Sequence, residues 1–198
     1  MKDINAPEFN DRRVAVLNRL RNALISTYGC LEGWPRINLG PCGRFARDLY
    51  EQWNARFNEK VNIVFLMTQD GSTCNHIVVR LPDGNLYDGG FGVVTNESYQ
   101  MIIPDIRLDE MKDFDLSLLD KWSYGLNRNY PNCPNYSDDG TRKLIANHLA
   151  ELPMTNPQGM EAIQLPSEEE IRVAYQEGEE AVIELFRRTF EKPQTFPR

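Results

Sequence analysis

Between residues 61 and 92 the chain reads VNIVFLM, a QDGS turn, CNHIVVRL, a PDGN turn, and LYD running into Gly89-Gly90-Phe91-Gly92. Short β-branched runs joined by turn dipeptides leave the chain little choice but to fold back on itself, so the stretch specifies a meander of antiparallel strands. SYQMII, residues 98–103, offers a further strand. Upstream the period changes. Val14, Leu17, Leu20, Leu24 and Tyr28 recur at steps of three and four from Asp11 onward, and Gly29 follows as a stop, which predicts an amphipathic helix. A second helix is expected over residues 41–57, with Pro41 in its first turn and Phe45, Ala46, Leu49 and Trp53 on one buried face. The intervening CLEGWPRINLG has the irregular Gly and Pro of a loop. Helices followed by consecutive strands give an α+β class, with the N-terminal helices packed on an antiparallel sheet.

After residue 104 the periodicity weakens. An acidic stretch, RLDEMKDFDLSLLDKW, leads into an Asn-, Pro- and Tyr-rich loop whose aromatics, Tyr124 to Tyr136, could wall a substrate site or simply order a surface loop. A short helix is expected near 141–151. A closing helix is expected from Ser167, where Glu170 completes a capping box and Ile171, Ala174, Val182 and Leu185 form one stripe; FEKPQTFPR reads as a tail. The expected organisation is a core over 1–104 and a helical C-terminal extension over 105–198, packed on the same domain.

Charge narrows the function. With 22 basic against 29 acidic residues the formal charge is -7, and no basic cluster offsets it, so a phosphate backbone would be repelled and nucleic acid is not an expected partner. No stretch reaches the ~20 apolar residues of a membrane span, and MKDINAPEFNDRR lacks the apolar segment of a secretion signal, so a cytoplasmic protein without membrane contact is expected. The four cysteines, Cys30, Cys42, Cys74 and Cys133, form no CxxC, and there are two histidines, His76 and His148. That spacing disfavours a structural zinc site, the expected cytosolic context disfavours disulfides, and no cofactor is implied. Any imidazole-dependent chemistry must use one of those two histidines.

Cys42 precedes Phe45 by three and so sits at the N-terminus of the second helix, where unpaired N–H groups and the helix dipole favour a thiolate and can receive the oxyanion of a tetrahedral intermediate. Gly40 and Gly43 flank it and leave the backbone open to a substrate. The Cys42 N–H, Gly43 and the Asn38 side chain are the oxyanion and substrate-binding candidates on one side, and Gly89 is the candidate on the other. His76 opens a strand and shares a face with Val78 and Arg80, placing a base at a sheet end. Asp88 ends the next strand and could fix the imidazole tautomer, or could serve only as a turn residue capping Gly89. One geometric difficulty stands: a two-residue hairpin at Asp83-Gly84 pairs Asp88 with Val79 and leaves about 10 Å along the strand, to be closed by strand coiling or a bulge. Cys74, expected to face the same side as His76, is the rival nucleophile. Cys30 and Cys133 read as passive thiols, and His148 as a half-buried structural residue.

GPCGRFA and NHIVVRLPDGNLYD together resemble the papain-like cysteine hydrolases in their minimal forms, the NlpC/P60 peptidases and the transglutaminase-like proteins. The likeness covers Asn38 to Gly92. It implies a papain-like core with Cys42 as nucleophile, His76 as base and Asp88 as the third residue. Pro41 stands where many NlpC/P60 enzymes carry Asp, and Val78 where transglutaminase-like proteins often carry Trp. The implied activity is a thiol-dependent hydrolase, cysteine protease-like, or an acyl transferase, acting on an amide or isopeptide bond of a peptide or protein through a thioester. A non-catalytic binding or effector protein on the same scaffold is the alternative. Amine acetylation by the same three residues would need a coenzyme A cradle, of which the sequence has no basic or Gly-rich sign.

Overall fold

The computed structural model describes residues 7–102, 105–123, 126 and 129–153, together with Val173 and Ala181. All but the last two belong to one compact unit, Ile4–Thr155. Apart from Val173 and Ala181, both helical, the helix expected from Ser167 and the tail after it lie outside the described residues.

The first helix, α1, runs Pro7–Tyr28 and ends as read, on Gly29, whose positive φ of 76° suits a residue without Cβ. The loop that follows contains a small hairpin, β1 Cys30–Leu31 with β2 Trp34–Pro35, turning through Glu32 and Gly33, both at positive φ. That pairing of left-handed residues matches strand twist in a two-residue turn. A short 3-10 turn, Arg36–Asn38, leads to α2, Cys42–Arg56.

The meander forms β3 Asn62–Thr68, β4 Cys74–Arg80, β5 Leu86–Asp88 and β6 Gly92–Val94. SYQMII does not add a strand. Thr95 Oγ1 accepts from Ser98 N at 3.1 Å and Thr95 O accepts from Tyr99 N at 3.1 Å, so the chain is turned into α3, Asn96–Ile102. A threonine cap decides for helix where a six-residue apolar run is ambiguous. The fifth strand comes from the acidic segment instead: β7, Ile106–Glu110, pairs with β3. Among the described residues the sheet order is β6-β5-β4-β3-β7, antiparallel throughout. The charges of β7 are used along this edge, where Glu110 accepts from Asn62 and Arg80 at 2.6 and 2.8 Å, and an edge strand so charged resists further pairing.

Strand alternation splits the core in two. Ile63, Phe65, Met67, Ile77, Val79 and Tyr87 pack with Leu17, Leu20 and Leu24 of α1 and Phe45, Leu49 and Trp53 of α2. Val64, Leu66, Val78, Leu86 and Ile106 pack on the opposite face, with Tyr99 of α3. After α4, Leu116–Trp122, the chain returns to form α5, Asp138–Leu149, close to the helix expected at 141–151. Arg142 ties α5 to Asp48 and Glu51 of α2 at 2.7 and 2.9 Å. Segments read as an extension after residue 104 thus supply an edge strand and two helices to the same unit. The molecule is of the α+β class. No helix among the described residues is long and apolar enough to cross a membrane.

Two departures from ideal pairing shape one end of the sheet. Leu81 N donates to Asn85 O at 2.8 Å and Gly84 has φ 87°, so the β4–β5 loop is the three residues Pro82-Asp83-Gly84 rather than a two-residue turn. Tyr87 therefore pairs with Val79, and Asp88 falls on the face of Leu86 and Val78, which is also that of His76. Secondly, β5 pairs with β4 only at Val79 and Arg80, leaving Cys74–Val78 without a strand on that side. The Arg36–Asn38 turn and the head of α2 approach there: a Cβ on Gly43 would lie 3.1 Å from Ile77 Cδ1.

Candidate active site

Cys42 is the first residue of α2, half-buried, with Pro41 in the cap position. The first hydrogen bond inside the helix is Phe45 N to Pro41 O, 2.9 Å. The N–H groups of Cys42, Gly43 and Arg44 consequently have no carbonyl within the helix to bond, and they carry the positive end of its dipole.

His76 and Asp88 are both buried, and Nε2 lies 2.7 Å from Asp88 Oδ2. The loop register described above closes the gap that a two-residue hairpin would leave, since Asp88 now lies on the face of His76 only a diagonal step along the strands. Asp88 is held by far more than the imidazole. Its Oδ1 accepts from Gly90 N at 2.6 Å, Phe91 N at 2.9 Å and Asn38 Nδ2 at 2.8 Å. Its Oδ2 accepts also from the Tyr99 hydroxyl. The turn-capping role and the imidazole-orienting geometry are thus held by one carboxylate, one oxygen each.

Electrostatics follow from this geometry. Burial works against the imidazolium of His76, but the Asp88 carboxylate, together with charge and a hydrogen bond at Cys42, outweighs burial and raises the His76 pKa. Burial likewise opposes ionisation of Asp88, and the imidazolium, the Tyr99 hydroxyl and the Phe91 N–H overcome it to hold the carboxyl below its usual range. With Nε2 on Asp88, Nδ1 is the ring nitrogen left for Cys42.

Cys42 and His76 share a cavity of about 390 Å³, whose walls include Cys74, Asn75, Trp122 and Asn132. The β4 strand carries a bulge here: Leu66 pairs with His76 but Met67 pairs with Cys74, so Asn75 is an extra, exposed residue that lines the cavity. The bulge also corrects the expectation for Cys74, which leaves the face of His76 and packs with the helix-side core. Its Sγ–H donates to His76 O at 3.1 Å and burial pushes its pKa up to about 12, a poor setting for a nucleophile. Cys133 is buried, its pKa pushed up to about 11, and Cys30 is exposed. His148 is half-buried near the end of α5, its Nδ1 2.8 Å from Leu144 O.

Three expected substrate contacts have other partners. The Asn38 amide, expected at the oxyanion, is directed to Asp88, although the residue also borders the cavity. Gly43 is buried, because a Cβ there would lie 2.6 Å from Ser123 Cβ. Gly89 is buried too, facing Phe45 and Ile37 of the helix-side core. Both glycines permit close packing behind the site rather than contact within it. Tyr99 was not legible as a site residue, since its segment reads as a strand; the Thr95–Ser98 capping pair is the signal that reveals α3 and brings the ring inward.

Comparison of the chain with family models, with curated proteins and with solved structures finds no match.

Proposed function

We propose that this protein is a thiol-dependent hydrolase or acyl transferase with a papain-like core, acting in the cytoplasm on an amide or isopeptide bond of a peptide or protein. The observation that carries the reading is the buried His76–Asp88 pair, which shares one cavity with a half-buried cysteine at a helix N-terminus. A structural histidine needs no such combination, whereas a nucleophile does: a thiol, a base that can hold its proton, and an acid that keeps the base in one tautomer.

In the reaction, Cys42 gives its proton to His76 Nδ1 and Sγ attacks the carbonyl carbon. A C–S bond forms and the carbonyl electron pair moves to oxygen, toward the first-turn N–H groups of α2. On collapse the C–N bond breaks and the Nδ1 proton leaves with the amine. Water, or an acceptor amine, then attacks the thioester carbon and gives its proton to Nδ1; the C–S bond breaks and the thiolate is regenerated.

Incubation with p-nitrophenyl esters of N-blocked amino acids, followed by acid quench and peptide mapping, tests this. The expected result is a stoichiometric release of nitrophenol and an acyl group on the peptide containing GPCGRF. Acylation spread over Cys30, Cys74 and Cys133, or absent from Cys42 at every ester tried, overturns the proposal.

A further inference from the structure

We infer that Tyr99 is a positioning residue for the candidate base: its hydroxyl, held on Asp88 Oδ2, fixes the carboxylate oxygen that His76 uses and so keeps Nδ1 aimed at Cys42. The inference rests on the reading of Cys42 and His76 as a reacting pair. The case is geometric.

A carboxylate can turn about its Cβ–Cγ bond, and a base hydrogen-bonded to one oxygen turns with it. The two oxygens of Asp88 are held by different means. Three donors, from Gly90, Phe91 and Asn38, fix Oδ1 to the β5–β6 turn and to the segment before α2. Oδ2 has two, His76 Nε2 and the Tyr99 hydroxyl. Without the phenol, the imidazole would be the only donor left on the oxygen that faces it, and the rest of the restraint would have to come through Oδ1. Tyr99 is fully buried, and its ring also lies against the imidazole, with centroids 6.1 Å apart and planes at 25°. Phe91 closes over the other side of Tyr99, edge-on at 6.3 Å and 66°. One side chain therefore restrains both the acid and the plane of the base.

The chemistry of the phenol suits a permanent donor. Burial, then the Asp88 charge, push its pKa well above the ordinary tyrosine value, so it does not compete for the proton on His76. Its hydrogen bond favours the ionised form of Asp88. The titratable groups that meet this pair are Cys42 from α2 and Tyr99 from α3; on the other face of the sheet Tyr87 of β5 feels the Asp88 charge and the Cys74 thiol bonds the His76 backbone, while Arg21 of α1 reaches Gly90 O at 3.1 Å. None of the others donates a side-chain hydrogen bond to Oδ2 among the described residues.

Tyr99→Phe keeps the ring and removes the donor. With Cys42 alkylation by iodoacetamide followed from pH 4 to 9 and mapped by peptide, the variant is expected to react about tenfold more slowly at pH 6, with the acid limb of the profile displaced to higher pH, because an imidazolium held less firmly stabilises the Cys42 thiolate less. The change should vanish in an Asp88→Asn background, where no carboxylate remains to position. The low-field Nε2–H proton signal of His76 should exchange faster with water in Tyr99→Phe, while the His148 signals stay put. An unaltered profile and an unaltered His76 signal overturn the inference, as does an equal slowing in the Asp88→Asn background, which would mark a purely steric role. If Tyr99→Phe does not fold, 3-fluorotyrosine placed at position 99 preserves the shape and strengthens the donor, so the acid limb should move down; a stationary limb overturns the inference. A wild-type Cys42 no more reactive than Cys30 would defeat the proposed function, and the His76 signal would then decide the role of Tyr99 by itself.

Discussion

At the scale of single residues, the acid and the base of the site are unequal. In the proposed reaction His76 carries the proton between Cys42 and the leaving group, whereas Asp88 only holds His76 in place, and Asn at 88 would retain an oxygen that can still accept from Nε2–H. His76→Ala is therefore expected to slow acylation of Cys42 more than Asp88→Asn does, the former by about 10²–10⁴-fold. Pre-steady-state release of nitrophenol from an activated ester measures both; wild-type acylation in Asp88→Asn would remove the acid from the mechanism. Cys42 and His76 stand out in the sequence as candidates because chemistry restricts residue type and the chain has two histidines, and the structure brings both to one cavity. The Asn38 amide reaches a partner the sequence does not announce, since a side-chain amide four positions from Cys42 is equally able to turn toward a carboxylate brought in from fifty residues away. Arg13 shows the same limit. It is 1 % exposed within an otherwise apolar stripe, because Glu59 and Asp83 meet it at 3.2 and 3.8 Å and the Trp53 ring covers it, partners that no local pattern announces.

At the scale of elements, periodicity marks α1, α2 and the three strands β3, β4 and β5 with boundaries off by a few residues, and what it does not carry is registry. A three-residue loop in place of a two-residue one moves Asp88 across the sheet, and a bulge at Asn75 moves Cys74 the other way. Each depends on a single residue's backbone conformation, below the resolution of any pattern of apolar positions. The packing of α2 against its neighbours is similarly a matter of one atom. Adding a methyl group at Gly43 drives Cβ to 2.6 Å from Ser123 Cβ and 3.1 Å from Ile77 Cδ1, so Gly43→Ala is expected to cost about 1–3 kcal/mol of stability. Urea denaturation should show a lower midpoint at unchanged slope. A variant as stable as wild type but deficient in turnover would return Gly43 to the substrate side.

For the molecule as a whole, the His76–Asp88 pair makes stability a function of pH in a definite direction. The folded pKa of His76 is raised, so its contribution is complete below the unfolded value, near 6.5, and is lost as pH climbs through the folded one. Asp88 has a lowered folded pKa, and its contribution is present above the unfolded value, near 3.9, and is lost as pH falls through the folded one. The melting temperature should therefore decline from neutral toward alkaline pH, and the decline should be shallower in His76→Ala; identical slopes in scanning calorimetry would show that the pair is not coupled to folding. The five donors to Asp88 bear also on how the chain assembles. They come from the turn before α2, from β4, from the β5–β6 turn and from α3, segments spread over sixty residues of chain between Asn38 and Tyr99. A carboxylate stripped of water has no stable half-built state, so it stays hydrated until all four segments arrive, and the aligned imidazole arrives with them. A fast-reacting Cys42 would then be a clock for the last act of folding, silent in every intermediate that lacks one of the four.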